Sequence, residues 1–281
     1  MKERLCIFVV TSTLLVLALF TSAIGADKEI IRVRGSESMA DLVDAYAKEF
    51  MERNPNVNIV VSGGSGASDA FKALLEKEAE IVMQSHDIDS PEKEAAAKKG
   101  VDMMEKIIGW GGIVIVVIPT NTINELTADQ VRKIFSGQIT NWKQVGGFDE
   151  PIAVVVVGEK RAGTMEFFTR DFLKGSLAAN AAVKAYFRSI IPTVAESTGA
   201  TGFVRIRNIV QLKEKNQESR IKIIGIKKDE NSPAILPSRE TVNNGTYPIT
   251  RPFFLYMDGK TGTSVAGKFL DFCAGKNPRP M

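Results

Sequence analysis

The sequence predicts an α/β protein, and three observations carry that prediction. Short β-branched or apolar runs recur at residues 30–33, 58–61, 113–118 and 152–157. Stretches with helical spacing of apolar side chains lie between them. Several of the runs end in turns rich in serine and glycine. Alternation of this kind builds a largely parallel sheet with helices packed on its faces.

The first 25 residues read as a separate element. Lys2 and Arg4 precede an apolar run over 5–20, and Ala23, Ile24 and Gly25 mark a cleavage site before Ala26. Charge order, length and small-residue exit predict a cleaved secretory signal and hence a periplasmic protein. The alternative is a membrane anchor, but the run is shorter than the ~20 residues a spanning helix needs. No cysteine follows the small residues, so no lipoprotein acceptor is expected.

Residues 30–33 then form a strand, which turns at Gly35, Ser36, Glu37 and Ser38 into a helix over 39–54. Leu42, Val43, Tyr46 and Phe50 line one face of that helix. A second strand, 58–61, leads into Ser62, Gly63, Gly64, Ser65 and Gly66, then a helix through Phe71, Leu74 and Leu75. A strand at 80–83 and a surface helix at 91–99, with Pro91 in its first turn, come next. The run at 113–118 suits a strand buried on both faces, with Gly109, Gly111 and Gly112 before it and Pro119 ending it. Thr127 caps a helix over 127–135. A buried strand at 152–157 ends in the polar turn 158–163, and Phe167, Phe168 and Phe172 mark the face of the following helix. The turn 198–203 enters a strand, and 213–220 is expected as a charged loop. Residues 253–257 are expected as an aromatic-rich strand and 264–272 as the closing helix. Residues 113–248 read as one domain, and 26–112 with 249–281 as the other, so the chain crosses between lobes near Gly112 and near Tyr247.

Composition narrows the function. The chain has 281 residues and a net charge of only +3, with Lys and Glu interspersed, whereas a nucleic-acid protein concentrates basic residues on one face. Cys6 leaves with the signal, and Cys273 then stands alone in a helical pattern that suits a buried apolar role. His86 is the only histidine, and no HxH, HExxH or CxxC spacing occurs, so neither a metal nor another cofactor is expected.

The recurring unit is strand, Ser/Gly turn, helix. A helix N-terminus offers unpaired N–H groups and partial positive charge, so several aimed at one point make an anion site with few cations. Four turns qualify: 35–39, 62–68, 84–86 and 161–164. In open parallel sheets such turns sit at the carboxyl ends of strands, where ligands bind.

The segment LTADQVRKIFSGQITNW over 126–142, the GSESM loop at 35–39 and the RAGT turn at 161–164 resemble the phosphate-binding proteins that feed bacterial ABC importers. Element order from 30 to 273, the turn 197–203 and the return strand 247–256 are similar to the same family. The resemblance implies a two-lobed periplasmic binding protein fold of type 2, with a ligand cleft between lobes. It also implies capture of an oxyanion, most naturally phosphate, a membrane permease as partner, and action as a monomer. Carried over by position, it implies that Ser38 gives a hydroxyl and Met39 a backbone N–H. Ser65 and Gly66, with Ser68 as rival, supply the second turn, Ser85 the third, and Gly163 and Thr164 the fourth. Ordinary helix capping is the alternative role for each hydroxyl.

The sequence also departs from that pattern. Gly158 and Ala162 stand where the family has Arg and Ser, and Arg161 is the candidate replacement cation. Arg gives bidentate, charge-assisted contact to phosphate, so its loss weakens binding. Ser85 stands where many members have an Asp that accepts the proton of hydrogen phosphate. Glu37, between Ser36 and Ser38, is the candidate to take over as acceptor; its other reading is a solvated carboxylate or a partner for Arg34. His86, beside Ser85, is either a rim residue of the site or a strand-end histidine. A secreted phosphatase would need an activated nucleophile or metal-bound water, and only His86 offers a base to Ser38 or Thr164. An anion sensor with the same fold and a changed ligand is the remaining alternative.

Overall fold

The computed structural model describes residues 28–158, 163–216 and 218–277. The expected signal segment 1–25, together with Arg161 and Ala162, lies outside the described residues. Three strands, β1 (Glu29–Gly35), β2 (Val57–Gly63) and β3 (Ile81–Gln84), run parallel in one half of the sheet. A long strand, β4 (Met103–Val117), leaves that half and enters the other. There follow β5 (Glu125–Thr127), β6 (Ala153–Val157), β7 (Ala182–Lys184), β8 (Ala200–Arg205), β9 (Lys222–Ile223) and β10 (Gly225–Lys227). The return strand is β11 (Thr250–Asp258). The sheet order is β2-β1-β3-β11-β4-β8-β6-β7, with β9 on β4, while β5 and β10 pair separately.

Each half has its own core, so the chain folds as two lobes. One lobe packs Ile31, Val33, Met39, Val43, Ile81 and Met83 against Leu255, Phe269, Leu270 and Cys273. The other packs Ile113, Ile115, Val131, Phe135, Val156, Phe168 and Phe203. The rings of Phe168 and Phe203 stack at 4.1 Å, and Phe135 meets Phe168 edge-on at 5.0 Å. A ring buried this way stabilises by about 2–3 kcal/mol through area removed from water.

The 126–142 segment builds much of the second core. Thr127 Oγ1 accepts from the Gln130 N–H at 3.1 Å and the Gln130 side chain accepts from the Thr127 N–H at 2.9 Å, a reciprocal cap. The helix it starts, Ala128–Phe135, buries Val131, Ile134 and Phe135. Trp142 is also buried, its indole N–H donating to the Gly199 carbonyl at 3.1 Å.

The elements differ from the sequence expectation at several places: 198–203, expected as a turn into a strand, is mostly β8 itself, and two differences are larger. The strand expected at 113–118 begins ten residues earlier, at Met103, and runs through Gly109, Gly111 and Gly112. These glycines answer a packing demand: a Cβ on Gly111 would sit 2.6 Å from Phe253 Cζ and 3.3 Å from Arg251 Nε. The charged loop expected at 213–220 starts as the end of a helix, Ile206–Glu214, whose apolar side buries Ile209 and Leu212. Its Lys and Glu residues are the solvated face of that amphipathic helix.

Among the described residues, no helix is long and apolar enough to cross a membrane.

Candidate functional site

β4 and β11 cross the molecule as an antiparallel pair, with Thr250 opposite Gly112 and Arg251 opposite Gly111. The carboxyl ends of β1 and β3 approach this crossing from one lobe. The helix that begins at Gly163 approaches from the other. Gly35 ends β1, and the chain turns through Ser36 into the helix Glu37–Arg53. Gln84 ends β3 and is followed by Ser85 and His86.

Arg251 is the centre of this region. It is 2 % exposed, and its guanidinium donates to Ser85 Oγ at 2.9 Å, Ser38 Oγ at 2.9 Å and Thr164 Oγ1 at 2.7 Å. The hydroxyls therefore come from both lobes. Ser36 Oγ lies 2.8 Å from Ser38 Oγ and 3.4 Å from Ser85 Oγ. Ser36 occupies the N-cap position of its helix, yet its hydroxyl caps no backbone N–H. The ordinary capping role is thus unused at that turn, and the oxygen is committed to the cluster.

Gly163 sets how closely the lobes approach. A Cβ there would stand 2.2 Å from Ser85 Oγ and 3.5 Å from Ser36 Oγ, so any larger residue would collide with the opposite lobe. Thr164, next in the chain, is 1 % exposed.

The electrostatics follow from burial. Among the described residues no carboxylate pairs with Arg251; its ring neighbour is Phe253, 5.4 Å away. Burial, and then the charge of Arg205, push its guanidinium down to about 9 from 12.5. A buried cation without a counter-ion is unfavourable, and an anion relieves it. Each of the three hydroxyls accepts from the guanidinium, which leaves each O–H proton able to donate to a neighbouring acceptor. A buried cation ringed by hydroxyls from two lobes has the chemistry to receive a small anion.

Beside this cluster, His86 is 2 % exposed, with Nδ1 2.9 Å from the Asp87 carbonyl and Nε2 3.1 Å from Glu166 Oε2. Burial disfavours its charged form, but the Glu166 carboxylate and the Asp87 carbonyl outweigh burial, and the imidazole ends above its ordinary value. Glu166 is held low chiefly by His86. His86 is thus a buried imidazole facing a carboxylate of the other lobe, a contact that becomes an ion pair when the ring is protonated.

The expected site residues divide into two groups. Ser38, Ser85, Gly163 and Thr164 meet around Arg251. Met39 is fully buried in the first core, and its N–H donates to the Ser36 carbonyl at 3.0 Å. Glu37 is exposed on the first turn of its helix, and Arg34 pairs with Glu78 at 3.0 Å. Ser65 Oγ is buried without a hydrogen-bond partner, while Ser68 is exposed. Gly158 packs at the edge, where a Cβ would meet Val183 Cγ1 at 2.3 Å. Sequence reasoning missed Arg251. Its signal was a single charge inside an otherwise apolar, aromatic strand, a position where charges are rarely buried without a task.

Comparison with known proteins agrees with this architecture. A family profile described as a PBP superfamily domain matches residues 21–277. The chain is similar to Protein SphX of Synechococcus elongatus, 29% identical over 268 residues that cover 91% of this chain and 77% of that one. It is also similar to the phosphate-binding protein PstS of Bacillus subtilis, 28% identical over 243 residues, 86% of this chain and 74% of that one. Among solved structures, an ABC-type phosphate transport receptor from Vibrio cholerae aligns with a TM-score of 0.69 and 26% identity. That alignment covers 86% of this chain and 93% of the receptor.

Proposed function

Because this chain belongs to the PBP superfamily, we propose that it is a secreted binding protein that captures inorganic phosphate and delivers it to an ABC importer. The observation that carries this reading is Arg251: a buried guanidinium without a carboxylate partner among the described residues, hydrogen-bonded to Ser38, Ser85 and Thr164. The phosphate receptors and binding proteins among its relatives support phosphate as the anion.

In this mechanism the lobes, 26–112 with 249–281 and 113–248, hinge about the β4–β11 crossing. The anion takes Arg251 as its counter-ion. Ser38 and Ser85 from one lobe and Thr164 from the other turn their O–H protons onto its oxygens. The Ser65 hydroxyl and the Gly163 amide complete the shell, whereas the Met39 N–H is already spent on the Ser36 carbonyl; Arg161, outside the described residues, is the further candidate cation. Oxyanion contacts from both lobes favour the closed state, because the ligand binds that state with more bonds than the open one. The closed monomer then docks on the membrane permease. Binding rather than catalysis fits the one histidine, since His86 Nε2 faces Glu166 and is not offered to Ser38 or Thr164 as a base.

Calorimetric titration of the dialysed protein with phosphate, sulfate and molybdate tests the reading. Unfolding and refolding first removes any retained anion. Phosphate binding with sulfate rejected supports it; no heat of phosphate binding after that step sinks it. Glu37 is the proposed acceptor of the phosphate proton. An unchanged phosphate-to-sulfate preference in Glu37→Gln would remove it from that role.

A further inference from the structure

We propose that His86 and Glu166 form a clasp across the cleft that positions Ser85 and Thr164 and ties retention of the anion to pH. The inference rests on the binding reading above and adds a control to it. His86 follows Ser85 directly on the first lobe. Glu166 is two residues beyond Thr164, on the first turns of the helix from the second lobe. The ion pair between them, 3.1 Å from Nε2 to Oε2, therefore joins the two backbone segments that present the hydroxyls to Arg251. Neither side chain touches the guanidinium itself, so both act through the residues they hold.

The surroundings make the contact sensitive to protons. From its own loop, His86 meets the Asp87 carbonyl, while the Asp87 carboxylate turns to Tyr256 Oη of β11 at 3.3 Å and to Lys93 at 3.9 Å. From the helix Ser90–Lys98 comes Glu92, whose carboxyl is raised by burial and which is itself influenced by His86. From the second lobe come Glu166 and Arg170, the latter 3.7 Å from Glu166, 3.4 Å from the Asp87 carbonyl and 2.8 Å from Asp171. Arg170 disfavours a proton on His86, but Glu166 is the nearer charge and prevails.

The sign follows from the partner. The closed state raises the affinity of His86 for a proton, so closing takes one up. The contribution is complete below the ordinary value of 6.5 and is lost as pH rises through the raised value. At the acid end it is lost again as pH falls through the depressed value of Glu166. Between these limits the clasp holds the lobes together, and at alkaline pH it loosens.

The test measures phosphate Kd in wild type, His86→Gln, Glu166→Gln and the double variant between about pH 6 and 8.5. The ratio of variant to wild type at each pH cancels the ionisation of phosphate itself. A charge-assisted contact of this kind corresponds to a deficit on the order of tenfold at pH 6. The deficit should shrink toward equality at pH 8.5, and the double variant should match either single one. A ratio that stays flat with pH, or additive single effects, overturns the clasp. An independent readout uses the fact that His86 is the only histidine, so its ring proton resonances titrate without ambiguity. Glu166→Gln should lower the titration midpoint of His86, and an unchanged midpoint overturns the proposal. Wild type that binds no phosphate at any pH would remove the binding function, and the imidazole titration would still decide the clasp.

Discussion

Arg251→Met separates function from stability, because the two effects differ in size. Burial, with the charge of Arg205, holds the guanidinium at about 9 instead of 12.5. At 1.36 kcal/mol per pH unit this places a cost of about 5 kcal/mol on the charged form. Its three hydrogen bonds come from a charged donor and return at least about 1.5 kcal/mol each. The two sides nearly cancel, so the guanidinium contributes little to the ligand-free fold. Methionine fills much of the same space, so the ligand-free variant should unfold within a few degrees of wild type. Phosphate binding should respond far more strongly. Two charge-assisted contacts at about 1.5–3 kcal/mol each correspond to a loss of roughly 10²–10⁴ in affinity. Scanning calorimetry of the stripped protein and titration calorimetry with phosphate read the two effects separately. Phosphate affinity within tenfold of wild type would refute the assignment of Arg251 as the counter-ion. A fall of more than about 3 kcal/mol in ligand-free stability would mean that the guanidinium serves the fold instead.

Three further outcomes follow from particular contacts. Gly163→Ala puts a methyl 2.2 Å from Ser85 Oγ, across the cleft. Overpacking of this kind should weaken phosphate binding about 10- to 100-fold while leaving the ligand-free melting temperature unchanged, and unaltered affinity would mean that the lobes do not close to this distance. Thr127→Ala removes one half of the reciprocal cap on Ala128–Phe135. It should cost about 1 kcal/mol, seen as a drop of a few degrees on thermal unfolding, with phosphate affinity retained; no drop would show that the cap is idle. Cys273 is fully buried, and burial raises its thiol well above the ordinary cysteine range. It should resist thiol reagents in the native protein and react at once in denaturant; rapid native labelling would contradict its place in the core.

The parts of the fold that were legible in the sequence are those decided locally. β-branched runs and their terminating turns located β1, β2 and β6, and Thr127 marked its helix start through its own cap. The extent of β4 was not legible. Its glycines look like a break in sequence, while the reason for Gly111 is the Phe253 ring and Arg251 side chain on the neighbouring strand, and for Gly112 the Val242 side chain. The candidate site divides in the same way. Ser38, Ser85 and Thr164 were legible because each lies in a Ser/Gly turn or helix start of the kind that binds anions. Arg251 was not, because its partners are 213, 166 and 87 positions away in the chain. No local pattern encodes such a meeting; only the crossing of β11 between the lobes produces it.

Where the cation sits changes how capture would proceed. The family resemblance points to the fourth turn, where Gly158 stands in place of the family's Arg and Arg161 is the candidate cation. Arg251 instead rides on β11, which pairs with β3 of the first lobe and with β4, the strand that continues into the second. Ser36, Ser38 and Ser85 stand on the same side as β3. If the lobes open as proposed, the charge and these hydroxyls would stay together on one side, and only Gly163 and Thr164 would have to arrive. An anion can then be drawn in by the buried charge and first hydroxyls, with closure adding the Thr164 bond and excluding water. Excluding water strengthens each remaining electrostatic contact, since the same charges interact across a lower effective dielectric. On the proposed function, a cation on the shared strand would supply the initial attraction and the second lobe the retention.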